Sequence, residues 1–220
     1  MDARINRRSL VLGAPFVLLA CDRKKPQPPG VDPRIGSLTP PIQTPTGSWQ
    51  AQHSVNVTLV PEGRGFYFDF PPAPGSVHYL ITPRSFPLSG TVSMTCRVEG
   101  AGTLAHLPTA GVDDQTLPAF RLYFQRHGDN LSGVGRMCDF RWWNSPTLFS
   151  KDGEIRITTP LHPDYWGNVC GQKNEIGFNE AINDPWYMGF TCGSQSFAGH
   201  GVRSAPPPVR FHMMDYSVAL

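Results

Sequence analysis

Five cysteines, 17 carboxylates and seven histidines are the side chains of this 220-residue chain best suited to chemistry. Among the carboxylates, Glu175 and Glu180 could be paired as the acid and nucleophile that flank a glycosidic bond. Five positions apart on a helix they project about 140° from each other, which suits a solvated face better. The histidines are scattered. His200 lies in the tight loop Gly199-His200-Gly201, where a structural hydrogen bond is expected rather than metal ligation. No G-x-S-x-G elbow, HExxH or Walker sequence occurs. Gly100-Ala101-Gly102-Thr103-Leu104-Ala105 matches a loose dinucleotide fingerprint, but Pro108 blocks the helix whose N-terminus would hold the pyrophosphate, so the segment reads as a turn. The expectation is a protein that is not an enzyme.

Aromatic residues give a better lead. Trp143 should face away from its neighbour Trp142, hence outward. Tyr165, Trp166, Trp186 and Tyr187 gather around one loop, beside polar Asn168, Gln172 and Asn174. Flat aromatic faces stack on sugar rings and present little polar surface to desolvate. These five aromatics are the expected ligand-binding residues; the alternative is that Trp142 and Trp186 are core and the others cap a sheet edge. Asp113-Asp114, Asp129-Asn130 and Asp152 could lend oxygens to a structural calcium, although Asp and Asn favour turns in any case. No other cofactor is expected.

Four cysteines follow Cys21, and an even number in an exported chain favours disulfides. If Arg136–Asn144 and Gly153–Leu161 form a hairpin, Cys138 lies near its open end, close to where the chain continues to Cys170. Cys96 and Cys192 both point inward on strands. The expected pairs are Cys138–Cys170 and Cys96–Cys192, among three connectivities. No CxxC pair or Cys/His cluster suggests zinc.

The elements that must position these groups are strands. In Thr91–Glu99, Val92, Met94, Cys96 and Val98 share one face, and every residue on the other face is polar. The same alternation runs through Val55, Val57, Leu59; Phe66, Phe68, Phe70; Phe120, Leu122, Phe124; Cys138, Phe140, Trp142; Trp186, Met188, Phe190, Cys192; and Val209, Phe211, Met213. With Val77–Ile81 and Glu154–Thr158, this predicts about nine strands, separated by turns in a chain holding 22 Gly and 23 Pro. Asp164–Val169 and Glu175–Asn183 read as short helices. The fold class expected for residues 48–220 is all-β, an antiparallel β-sandwich or jelly roll with one or two short helices.

The N-terminal stretch carries the address. Arg4, Arg7 and Arg8 precede an apolar run from Leu10 to Ala20, eleven residues. Spanning a bilayer as a helix takes ~20, so residues 1–20 read as a secretory signal. Leu18-Leu19-Ala20-Cys21 resembles a bacterial lipobox, which implies that Cys21 is acylated and becomes the mature N-terminus. Asn6-Arg7-Arg8-Ser9-Leu10-Val11 resembles a twin-arginine export motif, which implies export of a folded chain. Residues 21–47 then read as a tether, with seven prolines between Asp22 and Gly47. Proline fixes φ, so such a segment is extended and could reach about 80 Å.

Charge excludes one class of partner. Removing residues 1–20 takes three arginines and one aspartate from the 19 basic and 17 acidic residues, leaving 16 of each. A neutral chain makes no electrostatic case for nucleic acid. The membrane is expected as a partner through the lipid alone.

The C-terminal half resembles bacterial β-sandwiches related to galactose-binding-like jelly rolls and carbohydrate-binding modules. The residues that carry the resemblance are Leu161-His162-Pro163-Asp164-Tyr165-Trp166, Gly177-Phe178-Asn179-Glu180-Ala181, Met188-Gly189-Phe190-Thr191, Gly199-His200-Gly201-Val202, Val209-Arg210-Phe211 and Tyr216-Ser217-Val218. The resemblance implies a ligand in a loop cleft or on a concave sheet face, with no residue-by-residue correspondence. The function expected is a non-catalytic envelope lipoprotein, periplasmic or surface-facing, that binds a glycan or envelope polymer. The alternative is a structural or assembly lipoprotein that offers a sheet face to another envelope protein; a glycan-acting enzyme ranks third.

Overall fold

The computed structural model describes residues 38–100, 103–108, 116–149 and 153–219. The signal, Cys21, the first part of the tether, Asp113, Asp114 and Asp152 lie outside the described residues. In chain order the strands are β1 (Ile42–Thr44), β2 (Gly47–Gln52), β3 (Val60–Glu62), β4 (Gly65–Asp69), β5 (Tyr79–Pro83), β6 (Thr91–Glu99), β7 (Leu104–His106), β8 (Pro118–Arg126), β9 (Arg141–Asn144), β10 (Thr147–Leu148), β11 (Gly153–Pro160), β12 (Trp166–Asn168), β13 (Pro185–Ser194), β14 (Val202–Ser204) and β15 (Arg210–Ala219). They build a large sheet in the order β1-β2-β5-β13-β8-β9-β12, with β10 also on β8, and a smaller sheet β11-β6-β15-β4-β3. β7 and β14 form a separate ribbon. Every pairing is antiparallel. The fold is the expected all-β sandwich.

Between the sheets lies an aromatic core. From the smaller sheet come Phe66, Phe68, Val92, Met94, Cys96, Phe211 and Met213; from the larger, Trp49, Leu80, Phe120, Leu122, Phe124, Trp142, Phe190 and Cys192. β6 keeps the strict buried/half-buried alternation that its sequence shows. β8 and β13 do not, because their second face is covered as well. One α-helix, α1 (Glu175–Asn183), packs Phe178 edge-on against Phe124 and Trp142 at 5.5 and 5.3 Å. Asn174 caps it by accepting from the Gly177 N–H.

Several expectations are corrected. The sheet begins inside the stretch read as tether: β1 pairs with β2, Ile42 packs on the core, and the Thr39 N–H donates to Ala51 O. Proline-rich composition hid this, because only three residues there need a strand conformation. Cys138 and Phe140 belong to a 3-10 turn, Gly135–Phe140, rather than to a strand. Asp164–Val169 is a 3-10 turn at Pro163–Tyr165 followed by β12. The hairpin expected of Arg136–Asn144 with Gly153–Leu161 does not form: β9 pairs with β8 and β12, while β11 pairs with β6 in the other sheet.

Candidate ligand cleft on the outer face of the large sheet

Strand register assigns the outer face of the large sheet. Tyr123 stands opposite Trp143, Gly189 opposite Tyr123 and Ile81, and Thr191 opposite Arg121 and Tyr79. These residues alternate with the core-facing ones. Tyr79, Ile81, Tyr123 and Trp143 make a second hydrophobic cluster, packed by Val169, Tyr187 and Ala198. A sheet face of this kind is normally wet. Here two loops cover it.

The loop from Gln195 to His200 is the first cover. It can lie against the sheet because a Cβ on Gly193 would meet Phe197 O at 2.3 Å, and one on Gly199 would meet the Tyr79 hydroxyl at 2.5 Å. Gly199 also has φ +69°, which glycine adopts without strain. His78 holds this loop from beneath. Its Nδ1 lies 3.0 Å from Gly199 O and its Nε2 2.9 Å from the Ser76 hydroxyl. Since a carbonyl only accepts, Nδ1 carries the proton and Nε2 accepts from Ser76. Burial lowers the His78 pKa to about 4, opposed in part by the Gly199 bond.

The second cover is the turn Asn168–Gln172. Asn168 Oδ1 accepts from the N–H groups of Cys170 and Gln172, and its Nδ2 donates to Asp139 Oδ1 at 2.7 Å. Asp139 Oδ2 accepts from Asn174 at 2.8 Å, so one carboxylate ties this turn to the helix cap. The Cys138–Cys170 disulfide forms as expected, with Cα atoms 5.3 Å apart.

A cleft of about 430 Å³ lies between these covers. Trp143, Val169, Phe197 and Ala198 line it with apolar side chains, and Arg121, Ser196 and His200 with polar ones. The Trp143 indole N–H donates to Thr191 Oγ1 at 3.1 Å, which fixes the ring. Phe197 stands edge-on to His200 at 5.3 Å and is 37% exposed. Burial, helped by the Arg141 charge, lowers the His200 pKa below the ordinary histidine value, so the ring is neutral at pH 7. No carboxylate lines the cleft among the described residues.

Polar groups are sealed in elsewhere on this face. Arg141 Nε lies 2.8 Å from Asp129 Oδ2, both side chains being nearly inaccessible. Asp129 also accepts from Gln125 Nε2 and from the Leu131 N–H, while Asn130 accepts from Ser132 N–H. The oxygens expected for calcium at Asp129-Asn130 are thus engaged in an ion pair and a turn. Burial raises the pKa of both Tyr79 and Tyr123, and the Tyr123 hydroxyl has no partner.

The five aromatics expected to bind ligand do not form one site. Trp166 is core, 1% exposed, with its indole N–H donating to Pro160 O and its ring edge-on to Phe124 at 4.9 Å. It has no surface to offer. A register shift between Pro185 and Tyr187 turns Trp186 out of the inward row. There it stacks on His127 and touches Tyr187. Tyr165 is exposed and packs against His162. Trp143 is the one of the five that lines the cleft, on the outer face as its alternation with Trp142 implied, but covered. Glu175 and Glu180 sit on the exposed side of α1, Glu180 paired with Arg126.

Cys96 and Cys192 remain free thiols, correcting the expected second bridge. Each is fully buried on its own sheet, packed as a small apolar sulfur. Burial pushes the Cys96 thiol up to about 12 and raises Cys192 also. Sequence reasoning missed Arg121, Ser196 and Phe197 and gave His200 only a structural role. The usable signal was the glycine set Gly193, Gly199 and Gly201, which marks a loop pressed onto a strand. No protein-family model, no curated protein and no solved structure matches this chain, so the reading of the cleft rests on its own geometry.

Proposed function

We propose that the chain is a non-catalytic, glycan-binding envelope lipoprotein, anchored through Cys21, whose ligand occupies the cleft over Trp143. The observation that carries the reading is the mixed lining of one cleft, in which apolar Trp143, Val169 and Phe197 stand together with polar Arg121, Ser196 and His200. A sugar ring presents the matching surfaces, an apolar face of C–H bonds and an equator of hydroxyls. Two covers pinned by His78, Asp139 and a disulfide keep the cleft formed before ligand arrives, which lowers the ordering cost of binding. A disulfide also fits an oxidising compartment outside the cytoplasm, as the lipobox-like N-terminus does.

Binding of the full chain to a saccharide array tests this, followed by titration with intrinsic tryptophan fluorescence as the readout. Phe197→Ala removes a partly exposed side chain from the lining of the cleft and should weaken binding about five-fold, since one aromatic contact is worth on the order of 1 kcal/mol. Tyr165→Ala and Trp186→Ala, which lie outside the cleft, should leave it unchanged. If no saccharide binds at millimolar concentration, or if Trp186→Ala abolishes binding while Phe197→Ala does not, the cleft is not a glycan site. An assembly role for the sheet face would then take its place.

A further inference from the structure

Arg121 is the anomaly in this cleft. It is half-buried on the outer face of β8, opposite Thr191. Its Nη1 donates to Asn144 O at 3.0 Å and its Nη2 to Gln195 O at 2.7 Å. These two bonds fix the plane of the guanidinium, but both acceptors are neutral carbonyls. Its Nε is buried and has no partner. Among the described residues Arg64 meets Asp215, Arg97 Glu99, Arg126 Glu180, Arg141 Asp129 and Arg210 Asp69, whereas Arg84, Arg136, Arg156 and Arg203 form no ion pair with a described acid. Arg121 meets none either, and differs from these four in its buried, unpartnered Nε. Burial lowers its pKa with no carboxylate opposing the shift, yet guanidinium stays charged at any physiological pH.

A partly desolvated cation without a counter-ion is costly, and proteins retain such groups where a ligand completes the pair. Each terminal nitrogen spends one of its two hydrogens on a carbonyl and keeps one, while the Nε–H is sealed beneath them. What remains is a planar donor set suited to the two oxygens of a carboxylate.

We propose that Arg121 is the anchor for a carboxylate, and that the cleft takes an acidic saccharide such as a uronate-containing oligosaccharide. The inference rests on the glycan reading of this cleft and names its ligand class. The pair formed on binding neutralises the one formal charge that lines the cleft among the described residues.

The test uses the full chain and two ligands that differ at one group: a glucuronate-containing oligosaccharide and the same oligosaccharide with its carboxyl groups reduced to alcohols. Inorganic phosphate and acetate serve as separate probes, and the Arg121 Nε–H resonance is followed by NMR. The acidic saccharide should bind at least ten-fold more tightly than its reduced form, weaken as salt rises, and shift the Arg121 Nε–H signal. Arg121→Lys should retain part of that preference and Arg121→Gln should abolish it. Equal binding of both saccharides overturns the carboxylate assignment and leaves the glycan reading intact. Response to phosphate or acetate at Arg121 without any saccharide binding would keep the anion site and overturn the glycan. Silence of the Nε–H signal toward every probe overturns the anion site at Arg121. The ligand-pair comparison and the NMR signal are read on unsubstituted protein, so they decide the matter even if Arg121→Gln fails to fold.

Discussion

Acidification should loosen the cleft through His78. The ring is 7% exposed and neutral, held between the Ser76 hydroxyl and Gly199 O, and its backbone N–H donates to Ser54 Oγ. Its pKa falls from the ordinary 6.5 to about 4, burial being the main cause and the bond to Gly199 opposing it. The unfolded chain therefore takes up a proton between these values while the folded chain does not. Stability contributed by the neutral ring is complete above pH 6.5 and is lost as pH falls toward 4. At 1.36 kcal/mol per pKa unit, the loss across the window comes to about 3 kcal/mol. The assay is urea denaturation of the wild type and of His78→Gln at several pH values from 7.5 down to 4. Other groups titrate in both proteins, so the quantity read is the difference between the two curves. Wild type should lose about 3 kcal/mol more than the variant over that range. Because His78 holds Gly199, the protection factors of the amides of residues 195–200, taken relative to intrinsic exchange at each pH, should fall on acidification in the wild type first. Parallel stability curves would refute the argument, since they would mean that the ring is already solvated or already charged when folded.

Three further outcomes follow from the packing. Phe124→Ala should cost ~3–5 kcal/mol in chemical denaturation, because its ring touches Trp142, Trp166 and Phe178 and its removal leaves a cavity; Ser93→Ala, on the half-buried side of β6, should stay within about 0.5 kcal/mol. Opening the Cys138–Cys170 bridge, which closes 32 residues, should lower stability by up to ~4 kcal/mol and raise hydrogen exchange in the Asn168–Gln172 turn, while Cys96→Ala should not alter the count of disulfides by mass. Deleting residues 38–47 should lower Tm by several degrees, because Ile42 would no longer cover Trp49 and Thr39 would no longer bond Ala51; an unchanged melt would return the segment to the tether.

How much of this was legible in the sequence depends on whether a side chain answers to its strand or to something distant. β6 alternates in sequence and alternates in burial, because only one of its faces meets the core. Val92, Met94, Phe120, Leu122, Phe124, Phe190 and Phe211 all face inward on the same logic. α1 was readable to its ends, since Asn174 caps it and Phe178 and Ala181 share a face. Tyr123, Gln125 and Thr191 fall outside that logic. They occupy positions that a one-sided sheet would give to water, yet all are buried: Val169 and Ala198 pack on the cluster that holds Tyr123, the Trp143 indole donates to Thr191, and Gln125 donates to the buried Asp129 carboxylate. Nothing local announces a cover supplied from dozens of residues away.

The ligand residues suffer most from that blindness. Local density of aromatics picked out Tyr165, Trp166, Trp186 and Tyr187, but neighbours in sequence diverge wherever a turn or a bulge intervenes: a 3-10 turn sends Tyr165 outward and Trp166 inward, and the bulge after Pro185 releases Trp186 from the core row. Arg121, by contrast, reads as an ordinary polar residue on the wet half of an alternating strand. It becomes chemically meaningful only when the loop that supplies Gln195 O and the strand that supplies Asn144 O close around it without bringing an acid. A site of this kind is defined by a missing partner, and a missing partner is visible only once every neighbour is in place. The half-buried guanidinium is therefore a stronger pointer to the ligand than the aromatic count, because aromatics stabilise the fold wherever they are buried, whereas a partly desolvated charge without a counter-ion destabilises it until something binds.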